Sequence, residues 1–176
     1  MNTATARSGE PGGRATHVDP ASSPHDFDFL IGDWEVHHRR LLRRLAGCTD
    51  WQTFGGRSRL IKVLDDHGTV DDNWIDLPGG AYRAVTLRSF DPASREWAIW
   101  WLDHRFPHRL DAPMRGHFRG GVGRFYADEI FDGRPIRVRF LWTGVAGGRP
   151  RWEQAFSTDG GASWEVNWEM DFRRRG

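Results

Sequence analysis

The chain has 176 residues, enough for one domain with a proper core and short for two. Its 25 Lys plus Arg against 24 Asp plus Glu leave a formal charge of +1, so no net field recruits nucleic acid or an anionic membrane. The lone Cys48 cannot close an intramolecular disulfide, no signal-peptide core occurs near the start, and no stretch approaches the roughly 20 apolar residues of a membrane helix, so a cytoplasmic protein is expected.

Residues 1–25 are rich in Gly, Pro, Ser, Ala and Thr and cannot repay the entropy of ordering, which predicts a disordered leader ahead of a single domain over 26–176. Phe27, Leu30 and Ile31 then suggest a short helical turn, punctuated by Gly32 and Asp33. Beyond it the texture is that of strands: 34–45, 57–64 and a short one at 71–77. Three hairpins follow, pairing 83–90 with 97–103 around DPASRE, 124–131 with 135–142 around Asp132 and Gly133, and 151–157 with 164–172 around TDGGAS. The Gly-rich 116–123 reads as a bulge or bend between strands. No crossover helix separates the hairpins, so an all-β, antiparallel up-and-down barrel of about nine to ten strands is expected, closure removing the exposed edges.

Alternation sorts the faces. The Asp-Gly turn pairs Phe125 with Phe140, Ala127 with Val138 and Gly123 with Trp142 on one side, and Asp128 with Arg137 and Tyr126 with Arg139 on the other. In the last hairpin, alternation favours Phe156 with Trp164, Gln154 with Val166 and Trp152 with Trp168, leaving Arg151 opposite Glu169 and Glu153 opposite Asn167. The first hairpin offers Val85, Leu87, Ala98, Trp100 and Leu102 as its buried side.

The segments HDFDFLIGDWEVHHRRL, FDPASREWAIWWLD, GRFYADEIFDGRPIRVRFLW and FSTDGGASWEVNWEMDFRR, which span residues 25–174, together resemble the bacterial calycin-type (lipocalin-like) domains of unknown function. That resemblance implies a barrel with a pocket and brings no catalytic residues with it. A more distant likeness is to the nitrobindins, whose barrels hold haem through a histidine late in the chain. Here no histidine follows His117, so an axial ligand would have to be Met170, His38 or His117, and haem is disfavoured.

Residues 157–164 fit the Asp-box pattern S-x-D-x-G-x-S/T-W of sialidase propellers, but a single copy reads as a turn in which Asp159 accepts backbone N–H groups. His37 and His38 lie adjacent in a strand and face opposite ways, and parity with Trp34 and Val36 points His38 inward. His104 and His108 sit four apart in a loop at the barrel mouth without an evident third metal ligand, so no metal is expected. The nucleophile-elbow, P-loop, zincin and CxxC templates do not occur.

Ten tryptophans in one small domain suit an aromatic-lined cavity. The expected partner is thus a small hydrophobic ligand, with a homodimer left open and neither nucleic acid nor membrane involved. Its pocket would be walled by Trp100, Phe140, Trp142, Trp152 and Trp168, with His38 and Gln154 as inward polar contacts. If the register placed them inside, Arg139, Glu153 and Asn167 would add a guanidinium, an acid and an amide able to bind a carboxylate or polarise a carbonyl. Two further readings share the geometry: a cofactor-independent cyclase or isomerase using His38 or Glu153 to move a proton, and a structural domain whose tryptophans only fill the core.

Overall fold

A computed structural model describes residues 22–176; residues 1–21, most of the expected leader, lie outside the described residues. Ten strands run in chain order: β1 (Gly32–Leu41), β2 (Trp51–Val63), β3 (Gly68–Ile75), β4 (Tyr82–Asp91), β5 (Glu96–Asp103), β6 (Met114–Arg119), β7 (Val122–Phe131), β8 (Arg134–Thr143), β9 (Arg151–Ser157) and β10 (Glu165–Arg174). Each pairs antiparallel with its sequence neighbours, and β1 pairs with β10 to close the barrel. Among the described residues no helix is long and apolar enough to cross a membrane.

The Gly-rich segment expected to bend makes the extra strand instead. Arg119 pairs with Val122, and Gly120 and Gly121 between them both take positive φ, at 59° and 73°. Glycine supplies the left-handed backbone that a two-residue turn needs if it is to match the strand twist. The β7–β8 hairpin has the register that its Asp-Gly turn dictates, with Phe125 opposite Phe140 and Tyr126 opposite Arg139.

The other two hairpins differ from expectation, each for a physical reason. In β9–β10 the ladder slips by one residue between Val166 and Trp168, so Gln154 faces Trp168 and Trp152 faces Met170. Asn167 is the bulged residue, which simple alternation does not anticipate. In β4–β5 the faces are reversed. Tyr82, Ala84, Thr86, Arg88 and Phe90 are buried, while Val85 and Leu87 are 36% and 39% exposed. Leu87 pairs with Trp100 and Val85 with Leu102, so these four lie on the outer surface together. Ile61, Val70, Leu87 and Trp100 are partners in turn across β2 to β5 and form an apolar row on that surface. The inner face went instead to Arg88, whose Nη1 meets the buried Asp71 of β3 at 2.7 Å.

One end of the barrel is closed by the chain leading into β1. Ser22–His25, assigned by composition to the leader, make a turn in which Asp26 accepts the Ser23 N–H and, across the barrel, the Trp97 indole N–H at 3.2 Å. A 3-10 turn over Asp28–Leu30 follows. It delivers Phe27, fully buried, edge-on to Trp97 at 4.9 Å and to Phe118 at 5.1 Å, with Phe125 stacked at 5.9 Å. The Trp34 indole N–H caps the Leu30 carbonyl at 2.7 Å and Arg174 donates to the Ile31 carbonyl at 2.9 Å, which pins the turn to β1 and β10.

Phe27→Ala removes the ring on which this floor converges. It should destabilise the protein by about 3–5 kcal/mol, read from the denaturant midpoint, with the loss carried by faster unfolding of the whole barrel.

Candidate functional site

Above this floor the lumen is not filled. A cavity of about 310 Å³ opens toward the end where the loops 42–50, 104–113 and 158–164 gather. Its two sides differ in chemistry because they come from different strands. From β8 to β10, Phe140, Trp152 and Trp168 form an aromatic wall, with Phe140 and Trp152 at 4.8 Å and Trp152 and Trp168 edge-on at 5.8 Å. From β3 and β4 come Asp71, Asn73, Thr86 and Arg88, a polar wall.

The polar wall is built around Asp71. Its Oδ2 accepts from Arg88 at 2.7 Å, while Oδ1 accepts the Thr86 backbone N–H at 3.1 Å and the Asn73 amide. Both members of the ion pair are almost completely buried, so each is viable there only through the other: removing one leaves an uncompensated charge and costs about 3–5 kcal/mol. On its far side the Arg88 guanidinium lies 4.9 Å over the Phe27 ring. Its Nε is buried without a hydrogen-bond partner.

His38 stands on β1, inward as parity predicts and 3% exposed. Its ring stacks on Phe54 at 4.8 Å, and Nδ1 faces the Trp168 indole N–H at 3.2 Å. Indole can only donate, so Nδ1 is the acceptor and the proton of the neutral ring sits on Nε2. The ring occupies space that Gly56 leaves open, since a Cβ there would lie 2.6 Å from Nε2 and 2.9 Å from the Trp74 carbonyl oxygen. Burial, with repulsion from His37 and Arg40 added, lowers His38 from 6.5 to about 3. At neutral pH it is a fixed, uncharged donor. Its one basic nitrogen is already engaged, which suits hydrogen bonding to a ligand better than taking up a proton.

Charged groups collect at the mouth. Burial raises the Glu129 carboxyl, and the neighbouring Asp111 raises it further. Asp111 is itself raised by burial against the opposing pull of Arg109. Burial lowers Arg44 to about 10, with Arg40 adding to the effect, and its guanidinium covers Phe131 at 4.9 Å. His104 accepts the Arg83 backbone N–H at 3.0 Å and ties the 104–113 loop to β4.

Of the residues expected in the pocket, His38, Phe140, Trp142, Trp152, Gln154 and Trp168 border the cavity. Four do not. Trp100 belongs to the outer apolar row, because the β4–β5 faces are reversed. Arg139 and Glu153 form a 2.9 Å ion pair with each other away from the cavity, with Arg139 also over Trp164 at 4.8 Å, so Glu153 is not a lumen acid. Asn167 is fully buried in the bulge and touches the cavity only through Gln154, whose amide donates to it at 2.8 Å. Of the three residues considered as a haem ligand, His117 lies on the exposed side of β6, and His38 and Met170 are direct cross-strand partners on one wall. Asp71, Asn73, Thr86 and Arg88 were missed. The signal for them was the buried parity of Tyr82, Ala84 and Phe90, masked by the aliphatic Val85 and Leu87.

The Asp box is a turn device. Asp159 accepts the Ser163 N–H at 2.9 Å and the Ser157 hydroxyl at 2.7 Å, and the Trp164 indole closes onto the Gly161 carbonyl at 3.0 Å. Hydrogen bonds from Ser163 and then Ser157 hold its carboxyl well below the usual range. No protein-family model matches the chain, and comparison with curated proteins finds no significant match.

Because His38 binds its proton less readily when folded, the unfolded chain takes up more protons below about pH 6.5, and stability falls as pH drops from there toward 3. His38 should account for a loss of roughly 2 kcal/mol between pH 7 and pH 5. Urea titrations at the two pH values should show that difference in the wild type and a flatter profile in His38→Gln.

Proposed function

We propose that the protein binds a small, flat hydrophobic molecule in the lumen of the barrel. The observation that carries this reading is the open cavity above a fully packed floor. A chain that needed its tryptophans only as filling would have little reason to leave about 310 Å³ beside Trp152 and Trp168. The volume lies at the lower end of ligand pockets, roughly 300–1,000 Å³, and suits a compact ring system rather than a long chain. Two walls of different polarity would orient such a molecule, rings against Phe140 and Trp152, with polar atoms toward β3 and β4. The state of His38 supports binding over proton transfer, since its ring is neutral and its acceptor nitrogen already holds the Trp168 N–H.

Native mass spectrometry on gently purified protein should show a retained mass of a few hundred daltons. Titration with a neutral fluorescent probe such as N-phenyl-1-naphthylamine should saturate at one site per chain. Trp152→Ala should weaken that binding by about tenfold or more, the effect of losing an aromatic anchor. A bare polypeptide mass with unsaturable probe binding would instead favour a structural domain.

A further inference from the structure

Building on the lumen as a ligand site, we infer that its occupant is an uncharged molecule presenting a hydrogen-bond acceptor, a ring ketone, to Arg88. Asp71 has its acceptor capacity largely taken by Arg88, Thr86 and Asn73. Arg88 has five N–H bonds, and only Nη1 has a hydrogen-bond partner among the described residues. The Nε2–H of His38 likewise has no protein partner among them. What the wall lacks is therefore an acceptor, and a buried donor without one costs about 1–3 kcal/mol.

Charge narrows the class further. The formal charges of Arg88 and Asp71 cancel within 2.7 Å, so a ligand carboxylate placed on Arg88 would also face the Asp71 carboxylate. At the mouth, burial already disfavours negative charge on Glu129 and Asp111. Arg44, Arg57 and Arg109 also border the cavity and would attract an anion, but Arg109 is held by Asp111 at 3.6 Å, Arg57 lies over Trp74 at 5.5 Å, and Arg44 stands over Phe131 with Asp132 and Glu165 nearby. A cation finds no free acid on the polar wall. A neutral carbonyl oxygen satisfies Arg88 without adding charge, and its flat ring body matches the aromatic wall opposite.

Isothermal titration with fluorene, 9-fluorenone and 9-fluorenecarboxylate tests this, since the three share one ring frame. The ketone should bind about tenfold or more tighter than the hydrocarbon, the range of a hydrogen bond to a charged donor, and the carboxylate no tighter than the hydrocarbon. In the Asp71→Asn/Arg88→Met double variant, which removes the donor without stranding a buried charge, the ketone's advantage should disappear while fluorene binding persists. Near-UV circular dichroism checks that this variant is folded, and the wild-type ranking stands independently of it. Equal binding of ketone and hydrocarbon would overturn the inference and leave the lumen an apolar binding site. Tightest binding by the carboxylate would make the site one for anions. Absence of binding by all three would count against the ligand-site reading itself.

Discussion

A single guanidinium joins the parts of this barrel that matter most. Arg88 lies over the Phe27 ring at 4.9 Å and holds Asp71 at 2.7 Å, so it touches the floor, β3 and β4 at once. A buried arginine needs its carboxylate, and a buried carboxylate needs its arginine. That mutual requirement lets the two charges share the inward face of β4 with Tyr82, Ala84 and Phe90, while Val85 and Leu87 lie on the outer surface, and it leaves Arg88 with unpartnered donors beside the cavity. Replacing the pair with hydrocarbon would remove the polar pole from the lumen, which is why it bears on function as well as on stability.

The buried tryptophans divide by what their rings pack against. Trp97 and Trp142 join Phe27, Phe118 and Phe125 in a packed floor of edge-to-face contacts. Trp152, cross-strand partner of Trp142, and Trp168 stand beside open space that Trp142 also borders. A filled core and a ligand chamber therefore occupy successive layers of one lumen, and the floor gives the chamber a rigid base. Trp168 also fixes the tautomer of His38.

The arginine excess has a structural use. Guanidinium groups cover aromatic rings throughout the described residues, Arg39 over Trp51 at 4.4 Å and Arg174 over Trp34 at 4.5 Å among them. A planar cation can stack on a ring and still bond a carboxylate, as Arg39 does with Glu169 at 2.9 Å, whereas an ammonium does this poorly. On the outer surface such ion pairs contribute about 0–1 kcal/mol each, and the same side chains cover the faces of indoles such as Trp34 and Trp51.

The sequence by itself determined whatever rests on neighbours along the chain. Period-two alternation placed His38 inward, the two-residue Asp-Gly turn set the β7–β8 register, and hairpins without crossover helices led to a closed antiparallel barrel. The tertiary structure decided what depends on partners far away in the chain. Asp71 and Arg88 meet only because β3 and β4 pair, and their burial overrode the aliphatic pattern of Val85 and Leu87. The bulge at Asn167 moved Trp168 opposite Gln154, while Glu153 keeps the side that alternation along β9 gives it and pairs with Arg139. Alternation states that two faces exist; which one turns inward is fixed by the residues waiting on the adjacent strand, and one inserted residue reverses it.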